Sequence, residues 1–364
     1  MKILQIINSL ATGGAEKLLL ETLPLYKEKG LQMDVLVLNG TNHPFLQALK
    51  ELNCCTIYSL GAHSVYNPLY IIKIIPYLKK YELIHVHLFP AQYWVVFAKA
   101  IGFSKVKLIF TEHNSSNRRL TNRLFRIIDR MVYRFYQQVV CISSEIQSII
   151  HLHTDAPIVK LPIIKNGVNL SAIKQAKAIE RNQIDKNLTE LDTIIIQVAG
   201  FREQKDQATL IRSLTHLPSE VKLLLVGEGA VKNECESLVQ SLGLQERILF
   251  LGLRMDVPQL LKSADVIVLS SKYEGLSLSS IEGMASERPF VASDVPGLSE
   301  VVKGAGVLFP VGDEIALARE ISKLLKDSDY FEAVVTACLE RAAAYDITIM
   351  VDKHIDLYKR LAKS

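Results

Sequence analysis

Residues 264–285 read Ala264-Asp265-Val266-Ile267-Val268-Leu269-Ser270-Ser271-Lys272-Tyr273-Glu274-Gly275-Leu276-Ser277-Leu278-Ser279-Ser280-Ile281-Glu282-Gly283-Met284-Ala285. The apolar run through Leu269 predicts a short buried strand. A Gly/Ser-rich turn follows, then a helix from about Ser279 to Ser286. Glu274 therefore falls just past the carboxyl end of a strand, and Glu282 on the first turns of the next helix. A helix start also offers unpaired N–H groups to the same space. Two carboxylates for hydroxyls and free N–H groups for phosphate are what a nucleotide-sugar diphosphate needs. Ser279-x-x-Glu282 equally fits a capping box, in which Glu282 serves only its own helix.

Working outward, the same strand–helix alternation fills the chain. Apolar runs at Lys2–Asn8, Met33–Asn39, Cys55–Leu60, Leu83–His87, Lys107–His113 and Gln138–Ser143 predict strands in the first half. Thr193–Ala199, Val221–Gly227, Ile248–Gly252, Asp265–Ser270 and Phe290–Ala292 predict them in the second. Alternation of this kind argues for parallel sheets covered on both faces. With 364 residues, two domains are expected. We set them at 1–170 and 171–342, with a polar linker near Asn166–Glu190 and a helical tail over 343–364 that packs back on the first domain. Ligands in doubly wound sheets bind at the carboxyl ends of the strands.

Composition narrows the class. Hydrophobic residues are 49% and charged residues 22%, which fits a globular chain and not a disordered one. Met1–Asn8 resembles a signal-peptide start, but the apolar run breaks at Asn8-Ser9. No window of about 18 apolar residues occurs, so no membrane-spanning helix is expected. The cysteines, Cys54, Cys55, Cys141, Cys235 and Cys338, are odd in number and lack a CxxC, as in a reduced cytosolic protein. Residues 1–170 carry 19 Lys/Arg against 10 Asp/Glu, and residues 171–364 carry 23 against 28. A basic first half suits an anionic partner. Asn117–Gln138 concentrates that charge, with Arg119, Arg123, Arg126, Arg130 and Arg134 on one helical stripe among apolar residues. An amphipathic basic helix fits an anionic membrane surface or a diphosphate-linked lipid. It equally fits a surface helix with its arginines in water. No recognised nucleic-acid motif accompanies it.

Four further features accompany the glutamate pair. Gly13-Gly14-Ala15-Glu16 follows the first strand, where glycines let backbone approach a phosphate. A tight strand-to-helix turn explains it as well, and it is not a GxGxxG. Arg202 and Lys205 follow a strand in Phe201-Arg202-Glu203-Gln204-Lys205 and are suited to neutralising a diphosphate. Gly227-Glu228-Gly229 ends another strand with a turn that admits a base or ribose. Thr111-Glu112-His113-Asn114 brings His113 to a strand end, where it either meets a sugar hydroxyl or is structural. For metals, Asp327-Ser328-Asp329 reads as a polar loop. His85-x-His87 and His151-x-His153 lack partners at ligand spacing.

In this order the chain resembles glycosyltransferase family 4, retaining nucleotide-sugar transferases of the GT-B fold. Asn166-Gly167-Val168-Asn169, Leu251–Val257 and Val295–Glu300 also carry the resemblance, which is strongest over 194–312. It implies an α/β fold of two Rossmann-like doubly wound domains facing across a cleft. It implies a UDP- or GDP-sugar donor, with no cofactor and no metal. Lys205 and an arginine would hold the diphosphate, Glu282 the ribose, and Glu274 the sugar ring. The N–H groups near Leu276, Ser277 and Leu278 would complete the cradle. Gly14 would approach the diphosphate, His113 would sit near the transferred sugar, and Gly227, Glu228 and Arg254 would join the donor site. One departure stands out. The family often has an arginine five positions before the lysine, where this chain has Gly200, and Arg202 is the substitute on offer. The expected acceptor is a glycan, lipid-linked, in cell-surface polysaccharide assembly at the inner face of the cell membrane. A nucleotide-sugar epimerase of the same fold is the competing enzyme, but no paired acid cluster in the first half marks one. An inactive glycosyltransferase-like binding partner is the non-enzymatic alternative.

Overall fold

A computed structural model describes residues 1–113 and 122–363. The chain forms two compact units, Met1–Gly167 with Ile347–Ser364 and Val168–Asp346. Each holds a six-stranded sheet in which every pairing is parallel. In the first unit the strands are β1 Lys2–Ile7, β2 Gln32–Val37, β3 Ile57–Ser59, β4 Leu83–His87, β5 Lys107–Glu112 and β6 Gln138–Cys141. In the second they are β7 Thr193–Val198, β8 Val221–Val226, β9 Ile248–Gly252, β10 Val266–Leu269, β11 Phe290–Ser293 and β12 Val307–Phe309. The orders are β3-β2-β1-β4-β5-β6 and β12-β11-β10-β7-β8-β9. Both are doubly wound, with the direction of winding reversing between β1 and β4 and between β7 and β10.

Burial on both faces explains the near-continuous apolar strands. Five of the six residues of β1 are buried, and all four of β10. β12 escapes a reading from sequence because its three residues, Val307-Leu308-Phe309, are too few to show a period. The stretch Asn166–Glu190 is not a free linker from Val168 on. Ile173, Ile184 and Leu188 are buried in the core of the second unit, on short helices Leu170–Gln175 and Arg181–Ile184 or beside them. The tail helix spans Ile347–Lys363 and belongs to the first unit, where it packs on the helix Gly14–Glu28. All five cysteines are free. Among the described residues no helix is long and apolar enough to cross a membrane.

Candidate active site

The winding of the second sheet reverses between β7 and β10, which leaves a crevice at their carboxyl ends. Lys205 follows β7 and Glu274 follows β10, so the topology brings them to that crevice from 69 positions apart. Lys205 Nζ donates directly to Glu274 Oε1. The side chains are 17% and 7% exposed, so the pair is largely withdrawn from water. Ser271 Oγ also donates to Glu274 Oε1, at 2.6 Å. Ser271 was not legible as a site residue; its only signal is a Ser-Ser pair ending an apolar strand.

The surrounding loops are locked together. Ser270 Oγ donates to the carbonyls of Lys205 and Asp206, at 3.2 and 2.9 Å. Lys272 N donates to Gln204 O at 2.8 Å, and Gln204 Nε2 donates to Tyr273 O at 2.8 Å. Ser293 Oγ, from the end of β11, donates to Ser271 O. A Cβ on Gly297 would stand 2.1 Å from Glu274 O and 2.6 Å from Gly275 O, so only glycine fits there. On the other side, a Cβ on Gly229 would stand 2.2 Å from Phe201 O, and one on Gly227 2.2 Å from Ala199 O. Gly227 also holds φ +140. The Gly227-Glu228-Gly229 turn thus presses on the loop that carries Arg202 and Lys205, and Phe201 N donates to Glu228 O at 3.1 Å.

The helix after the glutamate turn spans Leu278–Met284, with Ser277 at its N-cap and no side-chain cap. Ser279 is inside the helix, so the capping box expected from Ser279-x-x-Glu282 has the wrong register. Glu282 is buried on that helix, 6% exposed, and Ser277 is buried beside the partly buried Leu276 and Leu278. Arg202 is exposed, and its Nε lies 3.8 Å from where a Cβ on Gly200 would be. Two other candidates are tied up locally. Arg254 makes a two-pronged contact with Asp256, Nε to Oδ1 at 2.8 Å and Nη2 to Oδ2 at 2.5 Å. That contact holds the Asp256 carboxyl below its ordinary pKa and raises the guanidinium's. Glu228 accepts from Lys232 at 2.8 Å, one helical turn on.

In the first unit, Gly14 opens the helix Gly14–Glu28 with Gly13 as N-cap and no side-chain cap. A Cβ on Gly13 would stand 2.3 Å from Glu16 Oε2, so the Glu16 side chain folds over the turn. His113 follows β5, half-buried, its Nε2 at 3.3 Å from His87 Nδ1. Burial pushes its pKa down to about 4. Asp327, of the Asp-x-Asp triplet, caps the helix Ser328–Ala343 by accepting from Tyr330 N at 2.9 Å. Among the described residues, no three His, Cys, Asp or Glu are grouped to hold a metal ion.

Of the basic stretch 117–138, residues 117–121, Arg119 included, lie outside the described residues. The helix itself is Arg123–Arg134. Its one acid, Asp129, is fully buried, accepting from the Tyr93 hydroxyl at 2.5 Å and lying 2.8 Å from His153 Nε2. Arg126 and Arg130 have local partners, the Leu152 carbonyl and the Asp155 carboxylate. Between the arginines runs an exposed apolar row absent from the charge reading: Ile127, Met131 and Phe135 are 60%, 55% and 39% exposed.

Known protein families match both halves of the chain. The family described as Glycosyltransferase Family 4 matches residues 12–172, and Glycosyl transferases group 1 matches 178–337. The N-acetyl-alpha-D-glucosaminyl L-malate synthase of Bacillus anthracis is 34% identical over 39% of this chain and 38% of its own. The N-acetylgalactosamine-N,N'-diacetylbacillosaminyl-diphospho-undecaprenol 4-alpha-N-acetylgalactosaminyltransferase of Campylobacter jejuni is 24% identical over 93% of this chain and 94% of its own. The chain spans about half or less of the length of the first curated relatives it matches, 52% and 38%. Among solved structures, Anabaena HepE in complex with UDP and glucose shares the fold at TM-score 0.83 and 20% identity, over 99% of this chain and 100% of that one. With both halves matched in chain order and two six-stranded parallel sheets in place, this chain belongs to glycosyltransferase family 4 and has the GT-B architecture.

Proposed function

We propose that the chain is a retaining glycosyltransferase that moves a sugar from a UDP- or GDP-sugar to a lipid-linked glycan acceptor, in cell-surface polysaccharide assembly. The observation that carries this is the Lys205–Glu274 pair at the reversal point of the second sheet. In the free protein each charge is balanced by the other. A bound diphosphate competes for Lys205, and Glu274, still held by Ser271, turns to the hydroxyls of the donor sugar. The buried Glu282 then takes the ribose, and the uncapped N–H groups around Leu276, Ser277 and Leu278 take phosphate oxygens. Arg202, whose guanidinium returns over Gly200, adds the second cation. Gly227, Glu228 and Arg254 line the nucleotide. Lys205 and backbone dipoles would stabilise the leaving diphosphate without a divalent ion. Three relatives are named for diphospho-undecaprenol-linked sugars, which supports the lipid-linked acceptor.

Purified protein should be stabilised by the matching nucleotide sugar, by about 2.7 kcal/mol at a hundredfold excess over Kd. Transfer should persist in EDTA and keep the anomeric configuration, followed by NMR of the product. Loss of activity in EDTA with rescue by manganese would remove the metal-free step, and an inverted product would remove retention. Donor binding without transfer or hydrolysis would favour an inactive binding partner.

The same proposal places the protein peripherally at the cytoplasmic face of a membrane, through the helix Arg123–Arg134. Ile127 and Met131 are exposed on it and Phe135 just past its end, at four-residue spacing, alongside Arg126, Arg130 and Arg134. An apolar row flanked by arginines suits an anionic lipid interface, where each basic residue contributes about 1 kcal/mol. Wild-type protein should co-sediment with anionic vesicles, less so in high salt. Changing Arg126, Arg130 and Arg134 to Gln, or Ile127 and Met131 to Ser, should reduce pelleting. Equal pelleting of all variants would leave the helix an ordinary solvated face.

A further inference from the structure

Three neighbouring strands of the first sheet turn polar side chains to one face. Alternation along a strand puts residues two apart on the same side. Gln5 of β1 is in register with His85 of β4, and His87 of β4 with Thr111 of β5; His113 follows two residues on. The intervening Leu4, Ile6, Ile84, Val86, Leu108 and Phe110 enter the apolar core on the opposite face. The polar face is covered by the helices Gly14–Glu28 and Ile347–Lys363, which contribute Tyr26, His354 and Tyr358. Buried polar groups of this kind must find partners, and here the partners determine where the protons are.

The proton inventory starts at Gln5. Its Nε2 lies 3.4 Å from Met33 Sδ and 3.5 Å from the Tyr358 hydroxyl. A thioether carries no proton, so the amide nitrogen, a donor, belongs on that side. Gln5 Oε1 then faces His87 Nε2 at 2.9 Å, and that nitrogen must carry the hydrogen. Burial, with His113 and His354 nearby, holds His87 well below its ordinary pKa, so the ring is neutral and has one N–H only. His87 Nδ1 is therefore a bare lone pair. The group 3.3 Å from it, His113 Nε2, has to be the donor. His113 is itself neutral near pH 7, with burial pushing its pKa down to about 4. Its Nδ1 is left unprotonated. A parallel chain is consistent with this. The Tyr358 hydroxyl, 3.5 Å from Gln5 Nε2, lies 2.7 Å from His85 Nδ1, and His85 Nε2 lies 2.7 Å from Thr111 Oγ1.

We infer that Gln5 and His87 are positioning residues that hold His113 as the Nε2–H tautomer, so that its Nδ1 accepts a hydrogen bond from a hydroxyl of the bound sugar. The last clause rests on the glycosyltransferase reading above; the tautomer does not. A His113 locked in this way selects for a hydroxyl that can donate at that position. It disfavours a sugar whose group there only accepts, such as a methyl ether.

The test is two-bond 1H–15N correlation on the full chain labelled at histidine, near pH 7 and without donor, with His113→Asn to assign the signal. The expected spectrum has a protonated Nε2 and a bare Nδ1 on both His113 and His87. A protonated Nδ1 on His113, or a doubly protonated ring, overturns the relay whether or not the protein transfers sugar. His87→Asn, whose side-chain oxygen can replace Nδ1 as acceptor, should keep the His113 signal and most of the activity. His87→Phe should mix the tautomers and lower kcat/KM by about tenfold, the size of one neutral hydrogen bond. An unchanged His113 spectrum in folded His87→Phe would also overturn it. The tautomer as inferred, with no transferase activity on any nucleotide sugar, would sink the sugar contact alone.

Discussion

Replacing Lys205 or Glu274 by alanine is expected to lower kcat/KM by at least about tenfold while the chain still folds. About 1.4 kcal/mol of transition-state stabilisation is worth a factor of ten, and a charged contact to a developing leaving group in a sheltered site is worth at least that. The two residues also hold each other, which complicates a single substitution. Lys205→Ala leaves a 7%-exposed carboxylate with Ser271 as its remaining side-chain partner. Leaving such a group under-satisfied costs on the order of 1–3 kcal/mol. The combined variant separates the two effects. Lys205→Ala with Glu274→Ala removes both charges, so its Tm should recover part of what either single variant loses. Its activity should not recover. If the double variant regained both Tm and kcat/KM, the pair would be a structural ion pair only, and the donor site would lie elsewhere.

How much of this pair was legible in the sequence follows from what a chain order can encode. Lys205 and Glu274 were each visible as polar residues just past an apolar strand. Their meeting was not, because it requires β10 to lie beside β7 with β8 and β9 on the far side. That order is a matter of tertiary packing, and no local pattern records it. The same limit hid the polar layer around His113. His85-x-His87 and Thr111-x-His113 are readable as period-two pairs, but Gln5 and Tyr358 meet across 353 positions. The basic helix shows the opposite failure. Its arginine stripe was plain, whereas the exposure of Ile127, Met131 and Phe135 depends on Asp129 turning inward to Tyr93 and His153. A carboxylate in a basic helix reads as a surface residue until its buried partners are known.

Gly297→Ala is the second large effect expected, and it touches no charged group. The new methyl carbon would stand 2.1 Å from Glu274 O and 2.6 Å from the Glu274 carbonyl carbon. Backbone on both sides has to move, since neither neighbour is the end of a flexible side chain. Overpacking of this kind costs about 1–3 kcal/mol, which in a unit of this size lowers Tm by about 2–4 °C for each kcal/mol. The displaced peptide carries Glu274 with it. A misplacement of about 1 Å at a reacting centre can cost on the order of a hundredfold in rate, so kcat/KM should fall further than stability alone explains. Gly243→Ala supplies the comparison. Gly243 has φ +67 and open space around it, and it precedes β9 at the amino edge of the sheet. Alanine there costs on the order of 1 kcal/mol through the backbone and should leave kcat/KM unchanged. Equal activity losses in the two variants would mean that activity follows global stability. A loss confined to Gly297→Ala would tie the rate to the position of the Glu274 peptide.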